Sequence, residues 1–333
     1  MKISKIETFT DSKFIKGVTL VKITTDTDDI GWGQISPYYS DISTLVLHRQ
    51  VAPFIIGKDI SNLKDLGNLL DIVYDKQHKF PGTFMCRALG GIDTAIWDLH
   101  GRLKEKPVCD LIGNCKTKKI RVYGSSMKRQ ITPKNEVERF KKLVDEYGFT
   151  AFKFRIGSEV GRNRDEWEGR TEEIIPLISK NFQSCDLLVD ANSCYTPSKA
   201  IEIGKILEAN GIIHYEEPCP YWEHEWTKEV TDSLKIDVTG GEQDNSLTIF
   251  KKYINEKIVN IIQPDVLYLG GIERTLRVAM YAKQNNMICT PHAANMSLVT
   301  IFTLHLLASI ENAGPYLEYS IEGEDFYPWQ NNI

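Results

Sequence analysis

The chain has 333 residues, enough for about two domains of ordinary size and a large core. A hydrophobic share of 42% beside a charged share of 26% excludes a disordered chain. A net charge of −5, with no long basic run and no basic stripe interleaved with aromatics, argues against nucleic acid as a partner. No apolar run reaches the ~18 residues of a membrane span, and the opening MKISKIETFTDSK lacks the apolar stretch of a signal peptide. Seven cysteines (Cys86, Cys109, Cys115, Cys185, Cys194, Cys219 and Cys289) form no CxxC pair and no Cys/His zinc spacing. They read as reduced thiols, so a soluble cytoplasmic protein with no membrane partner is expected.

In chain order, TLVKITT (Thr19 to Thr25) alternates as a strand, and DTDDIGWG supplies a turn before a second short strand. Helical periodicity follows over 61–74 and 84–103, the latter placing Leu89, Ile92, Ala95, Ile96 and Leu99 on one stripe. Residues 1–117 therefore read as an α+β domain. From there strands are expected to begin near 119, 151, 187, 213, 237, 259, 288 and 316. Helices are expected over 133–147, 170–180, 197–210, 247–255, 272–285 and 298–310. Short Val, Ile and Leu runs alternating with helices are the pattern of a parallel sheet buried on both faces. No sequence repeat accompanies the period, which favours a barrel over a solenoid.

Six groups able to bind a metal or move a proton close successive apolar runs: Asp190, Glu216, Glu242, Asp265, His292 and Glu318. Their separations of 26, 26, 23, 27 and 26 residues are each the length of one strand, one helix and two loops. If the sheet closes into a barrel, all six meet at the C-terminal mouth, whereas a flat sheet would spread them apart. Lys153 and Arg155 alternate on AFKFRIG and point the same way, inward in a closed barrel. The segment from Gly157 to Gly169 is long for a βα connection and reads either as a lid or as a solvated insertion.

Any one of these carboxylates alone would be read as a helix cap or an ion-pair partner. Three at equal structural intervals, Asp190, Glu216 and Glu242, supply the hard oxygen donors that suit octahedral Mg²⁺. Asp265 can bond one ring nitrogen of His292 and leave the other as base or acid.

Taken together, Lys153-x-Arg155, VDAN at Asp190, YEEP at Glu216, GGEQ at Glu242, QPD at Asp265, PHAAN at His292 and LEYS at Glu318 resemble the enolase superfamily, specifically its mandelate racemase subgroup. GWGQ (Gly31 to Gln34) and GGIDTAIWDLHGR (Gly90 to Arg102) resemble that family's N-terminal domain, so the likeness covers nearly the whole chain. It implies a modified TIM barrel, (β/α)7β, over 118–320, an α+β capping domain over 1–117, and a segment over 321–333 returning toward the cap. It also implies Mg²⁺ on Asp190, Glu216 and Glu242, holding the carboxylate of a small-molecule substrate while His292, oriented by Asp265, removes the α-proton. A Lys or His base working beside Mg²⁺ is the known chemistry of the superfamily, and it comes to this chain by resemblance alone. Glu318 and Lys153 would then contact the substrate carboxylate. A homo-oligomer is implied by the same likeness.

Arg155 departs from the pattern, because the racemases place a second lysine there as a base, and a guanidinium stays protonated above about pH 12. The favoured expectation is loss of water from a sugar acid to give a 2-keto-3-deoxy acid. The alternatives are a racemase, epimerase or lactone cycloisomerase on the same scaffold and, in another class, a non-catalytic metal-binding regulatory protein. Substrate contacts are sought at Asn192, in ISPYYSD with Tyr38 and Tyr39, in HKFPGTF (His78 to Phe84), and at Trp222 and His224. The residues after Ser320 are fewer than the family usually has, so FYPWQNNI reads as the place where a longer chain has been cut.

Overall fold

The structure, a computed structural model, describes residues 1–10, 17–113, 115, 117, 119–323 and 325–327. Positions 328–333, and with them most of FYPWQNNI, lie outside the described residues.

Three antiparallel strands open the chain in the order β1 (Ile3–Thr10), β2 (Thr19–Thr25) and β3 (Ile30–Ile35). Strand β2 buries Thr19, Val21, Ile23 and Thr25 in strict alternation, the signal carried by its sequence. Strand β1 is not expected from the sequence. A register shift between Ile3 and Lys5 breaks its alternation, so Ile3 and Ile6 are its buried residues and the period of two is lost. The helix Thr83–Leu103 lies against this sheet. A Cβ on Gly31 would stand 2.2 Å from the Ala95 carbonyl oxygen, and one on Gly33 would stand 2.3 Å from that of Gly91. The two glycines of GWG are thus what lets strand and helix backbones touch.

Eight parallel strands follow: β4 (Arg121–Ser125), β5 (Ala151–Arg155), β6 (Asp186–Asp190), β7 (His214–Glu216), β8 (Asp237–Gly240), β9 (Ile261–Ile262), β10 (Ile288–Cys289) and β11 (Tyr316–Ser320). They pair in chain order from β4 to β10, and β11 returns to pair with β4. At the remaining seam, the Cys289 N–H donates to the Asn312 carbonyl at 2.9 Å and the Gly314 N–H to that of Cys289 at 3.2 Å. Each strand from β4 to β10 is followed by helix and β11 ends the sheet, which is the (β/α)7β barrel.

Alternation along β5 sends Phe152 and Phe154 outward against Phe140, Ile174 and Ile178 of the surrounding helices. Lys153 and Arg155 consequently face the axis, whose floor is packed by Tyr123, Ala151, Leu188 and Tyr316. The expected helices are present, with Pro133–Tyr147 and Leu247–Asn255 at the bounds read from sequence. The helix His224–Ser233 escapes a reading of the sequence, because only Thr227, Val230 and Thr231 mark its buried face and threonine is a weak helix signal.

Side chains of the N-terminal domain cap helices of the barrel. Asp93 accepts from the N–H groups of Ile272 and Glu273 at 2.5 and 3.2 Å, at the start of Ile272–Gln284. Gln34 accepts from the Leu298 N–H and donates to Ser297 Oγ, both at 2.9 Å, at the start of Leu298–Leu307. Among the described residues no helix is long and apolar enough to cross a membrane.

Candidate active site

Parallel strands end on one rim, and that rim collects Lys153 and Arg155 from β5, Asp190 from β6, Glu216 from β7 and Glu318 from β11. Glu242, Asp265 and His292 stand just beyond β8, β9 and β10. Register places Arg155 beside Asp190 and Asp190 beside Glu216, while Asp265 and His292 face each other across a parallel bridge. None of these eight is more than 6% exposed.

Lys153 Nζ donates to both oxygens of Glu216 and lies on Glu318 Oε1, each at 2.8 Å. Burial works against its charge, but Glu216 and Glu318 hold its pKa well above the ordinary lysine value. Burial likewise works to raise the pKa of Glu216, and Lys153 reverses it, so that carboxyl sits well below its usual range. Glu318 also accepts from Ser125 Oγ at 2.7 Å and from the Ala293 N–H at 3.3 Å. Arg155 pairs with Asp190 and donates to Asn192 Oδ1.

On the opposite side, His292 Nδ1 meets Asp265 Oδ2 at 2.8 Å. The other oxygen of Asp265 accepts from the N–H groups of Leu267 and Tyr268 at 2.8 and 3.0 Å, capping the short helix Val266–Leu269. The imidazole is therefore tied to a fixed backbone. Its Nε2 faces inward, 3.2 Å from Glu242 Oε2 and 3.6 Å from Glu318 Oε2. Burial disfavours its charge, yet Glu242, Glu318 and Asp265 push its pKa up to about 10.

Does this donor set fit a divalent cation? Asp190, Glu216 and Glu242 are hard oxygen donors on adjacent strands. Burial lifts Glu242 to about 7, with His292 and Lys153 opposing the rise and the charges of Glu216 and Asp190 adding to it. Neighbouring Glu217 is raised well above its ordinary value by burial and by Glu242, Asp190 and Glu216, and its Oε1 is buried with no partner. Negative charge thus exceeds what Lys153, Arg155 and His292 offset, and a divalent cation would balance it. The side chains are not drawn together around a point, since Lys153 holds Glu216 and Arg155 holds Asp190. Among the described residues, the metal-capable atoms that lie within 4.8 Å of one another are instead those of Cys109, Asp110 and Cys115, on a different part of the chain.

Above these groups is a cavity of about 370 Å³ lined by Tyr38, Arg155, Asn192, Glu242 and His292. A larger hollow of about 470 Å³, bounded by Val122, Leu143, Tyr147, Phe149 and Tyr319, lies on the outer face of the barrel away from this chemistry. Four expectations need correction. Tyr39 is 55% exposed and turns from the cavity, whereas Tyr38 lines it, the two occupying successive left-handed positions before Ser40–Val46. Trp222 is 56% exposed and packs edge-on against Tyr221. His224 packs on the ring of Tyr253, outside the cavity lining. In HKFPGTF, Phe80 is 66% exposed and Thr83 Oγ1 accepts from Asn245 Nδ2, and no residue of that segment lines the cavity.

The segment from Gly157 to Gly169 folds onto the loop after β6, where the Gly161 N–H donates to Ser193 O at 2.9 Å and the Asn163 N–H to Cys194 O at 3.2 Å. It forms no lid over the cavity. Sequence reasoning misses Arg87, Met127, Arg129, Gln243, Tyr268, Phe326 and Tyr327 in the lining. Arg87 has a detectable signal, a charge within the apolar run FMCRALGG, where burial demands a partner.

Residues 135–330 match the model described as enolase C-terminal domain-like, and residues 6–113 match the mandelate racemase / muconate lactonizing enzyme N-terminal domain. The chain belongs to the mandelate racemase / muconate lactonizing enzyme family of the enolase superfamily. The arabinonate dehydratase of Saccharolobus solfataricus is 25% identical over 317 residues, covering 92% of this chain and 80% of that one. A crystal structure from Roseobacter denitrificans, described as a candidate racemase, is 57% identical with a TM-score of 0.94, covering 99% of this chain and 88% of that chain. A mandelate racemase/muconate lactonizing protein from Paracoccus denitrificans, complexed with magnesium, is 25% identical with a TM-score of 0.87, covering 96% and 86%.

Proposed function

We propose that this family member is a hydro-lyase: it removes the proton α to the carboxylate of a sugar acid and expels the 3-hydroxyl as water, leaving a 2-keto-3-deoxy acid. The observation that carries the reading is the asymmetry across the cavity. His292, fixed through Asp265 at 2.8 Å, can exchange a proton on one side, whereas Arg155 on the other is a guanidinium whose charge Asp190 reinforces. One base fits an elimination, in which the group that takes the α-proton can return it to the leaving oxygen.

Asp190, Glu216 and Glu242 would hold Mg²⁺, as the donor set and the magnesium-bound relative support. Bound there, the ion supplies Lewis-acid polarisation of the substrate carboxylate. Lys153, fully buried, adds fixed positive charge beside the carboxylate oxygens without having to reorganise. Glu318, anchored by Ser125 and the Ala293 N–H, accepts from Lys153 and so fixes that ammonium beside the carboxylate oxygens. Against burial, Glu242 and Glu318 hold the ring charged, and with Glu242 committed to the cation His292 Nε2 would be released to take the α-proton, Asp265 stabilising the imidazolium that results. The dehydratase name of the Saccharolobus relative supports elimination.

Isomerisation is the second reading, favoured by the description of the Roseobacter structure as a racemase. Purified protein loaded with Mg²⁺ is to be screened against sugar acids with semicarbazide detection of 2-keto-3-deoxy products. Product that disappears in His292→Asn is expected. Exchange of the α-proton in D₂O with no keto product would replace elimination by isomerisation.

A further inference from the structure

Arg129 and Arg155 converge on a single neutral acceptor. Arg129 Nη2 donates to Asn192 Oδ1 at 2.5 Å, and Arg155 Nη1 donates to the same oxygen. Two like charges brought to one amide oxygen repel each other unless an anion stands beside them. Arg155 has Asp190 as its carboxylate, and its buried Nε has no partner. Among the described residues Arg129 has no carboxylate within 4.0 Å, its Nε being taken by the Gly157 carbonyl at 2.8 Å. Burial and the neighbouring Arg155 lower the pKa of Arg129, against the charge of Asp190. Both residues line the cavity of about 370 Å³. Across it, the guanidinium of Arg87 lies 3.8 Å over the ring of Tyr268 and is held by Ser36 Oγ and Pro37 O.

We infer that Arg129 and Arg155 bind a second carboxylate, at the far end of the substrate, so that the enzyme acts on dicarboxylic sugar acids in preference to monocarboxylic ones. This rests on the reading of the mouth as a sugar-acid site. A guanidinium presents a planar fork that matches the two oxygens of a carboxylate, and two forks side by side offer more donors than one neutral amide can accept. A cavity of this size suits a short chain and not an oligosaccharide.

The test compares kcat/KM of the Mg²⁺-loaded enzyme on galactarate and galactonate, and on other hexarate and hexonate pairs of matched configuration. A preference of about tenfold or more for the diacid of one pair is expected. Arg129→Met should lower that ratio about 10- to 100-fold, the worth of a charge-assisted hydrogen bond, and Arg129→Lys should restore part of it. Preference for monoacids, or an equal loss on both members of the pair in Arg129→Met, would overturn the inference while leaving dehydration standing. If no acid is turned over, the proposed function fails, and calorimetry with the same ligands still decides this point. Tighter binding of the hexarate supports a second carboxylate site, and equal binding of the two, or tighter binding of a hexonate phosphate ester, refutes it.

Discussion

Replacing Lys153 by methionine keeps the length of the side chain and removes a fully buried ammonium from the barrel mouth. It leaves Glu216 Oε1 without its cation and Oε2 with only Gln263 and His214, and it takes from Glu318 the ammonium on Oε1, all in positions 0–1% exposed. Breaking a buried ion pair by deleting one member destabilises by about 3–5 kcal/mol, because the remaining charge stays buried. At about 2 °C per kcal/mol for a chain of this size, the metal-free variant should melt about 5–10 °C below wild type. The sign with pH follows from Glu216. Its folded pKa is depressed, so the pair stabilises the fold above the unfolded pKa of about 4.3, and that contribution is lost as pH falls through the folded value. The deficit of Lys153→Met should therefore be largest at neutral pH and shrink in acid. A divalent cation that binds the freed Glu216 adds about 2.7 kcal/mol at one hundred times its Kd, so Mg²⁺ should raise the melting temperature of the variant more than that of wild type. Calorimetry with and without Mg²⁺ at pH 3.5 and pH 7.5, on either side of the unfolded value of about 4.3, reads all of this. A loss below about 2 °C, or an identical Mg²⁺ response in both proteins, would refute the ion-pair account.

Asp265→Asn should keep the cap on Val266–Leu269, since the amide oxygen can still accept, but it removes the anion beside His292 Nδ1. Turnover is expected to fall about 10²- to 10⁴-fold with little change in melting temperature, and a fall under tenfold would count against His292 as the base. Gly33→Ala puts a Cβ 2.3 Å from the Gly91 carbonyl oxygen and 2.5 Å from the Ala95 nitrogen, both backbone atoms. Denaturant unfolding should show a loss of about 1–3 kcal/mol. Asp244 is buried, its Oδ2 is unpartnered, and burial lifts its pKa to about 7. A carboxyl whose folded pKa is raised lowers stability progressively between the unfolded value of about 3.9 and pH 7, so Asp244→Asn should gain about 2–4 kcal/mol on wild type across that interval. A pH-independent difference between the two would reject it.

The barrel and its rim are legible in the sequence because one physical rule governs them. A parallel strand is apolar until it leaves the sheet, so the first polar residue after each run marks the mouth, and Asp190, Glu216 and Glu318 all announce it. Lys153 and Arg155 can be aimed inward because Phe152 and Phe154 need the other face. What resists reading comes from elsewhere. Arg129 lies in the loop after β4, and Arg87 lies on a helix of the other domain, so no period in the chain relates either to the strand ends. Tyr38 and Tyr39 are neighbours of identical chemistry, and only the left-handed turn they occupy sends one in and the other out. Strand β1 is hidden by its bulge, which removes the alternation that identifies a strand.

The caps supplied by Asp93 and Gln34 bear on how the molecule comes apart. Each satisfies amides at the head of a barrel helix from a side chain nearly two hundred or more positions earlier in the chain. A barrel cut away from the N-terminal domain would expose those amides together with the apolar face that Leu267 and Ile272 share with Leu89 and Ile92. Sequence boundaries between the two domains are accordingly poor places to divide the protein. Melting should be cooperative across the junction, and a substitution in the small antiparallel sheet should be felt at the barrel mouth as a loss of order.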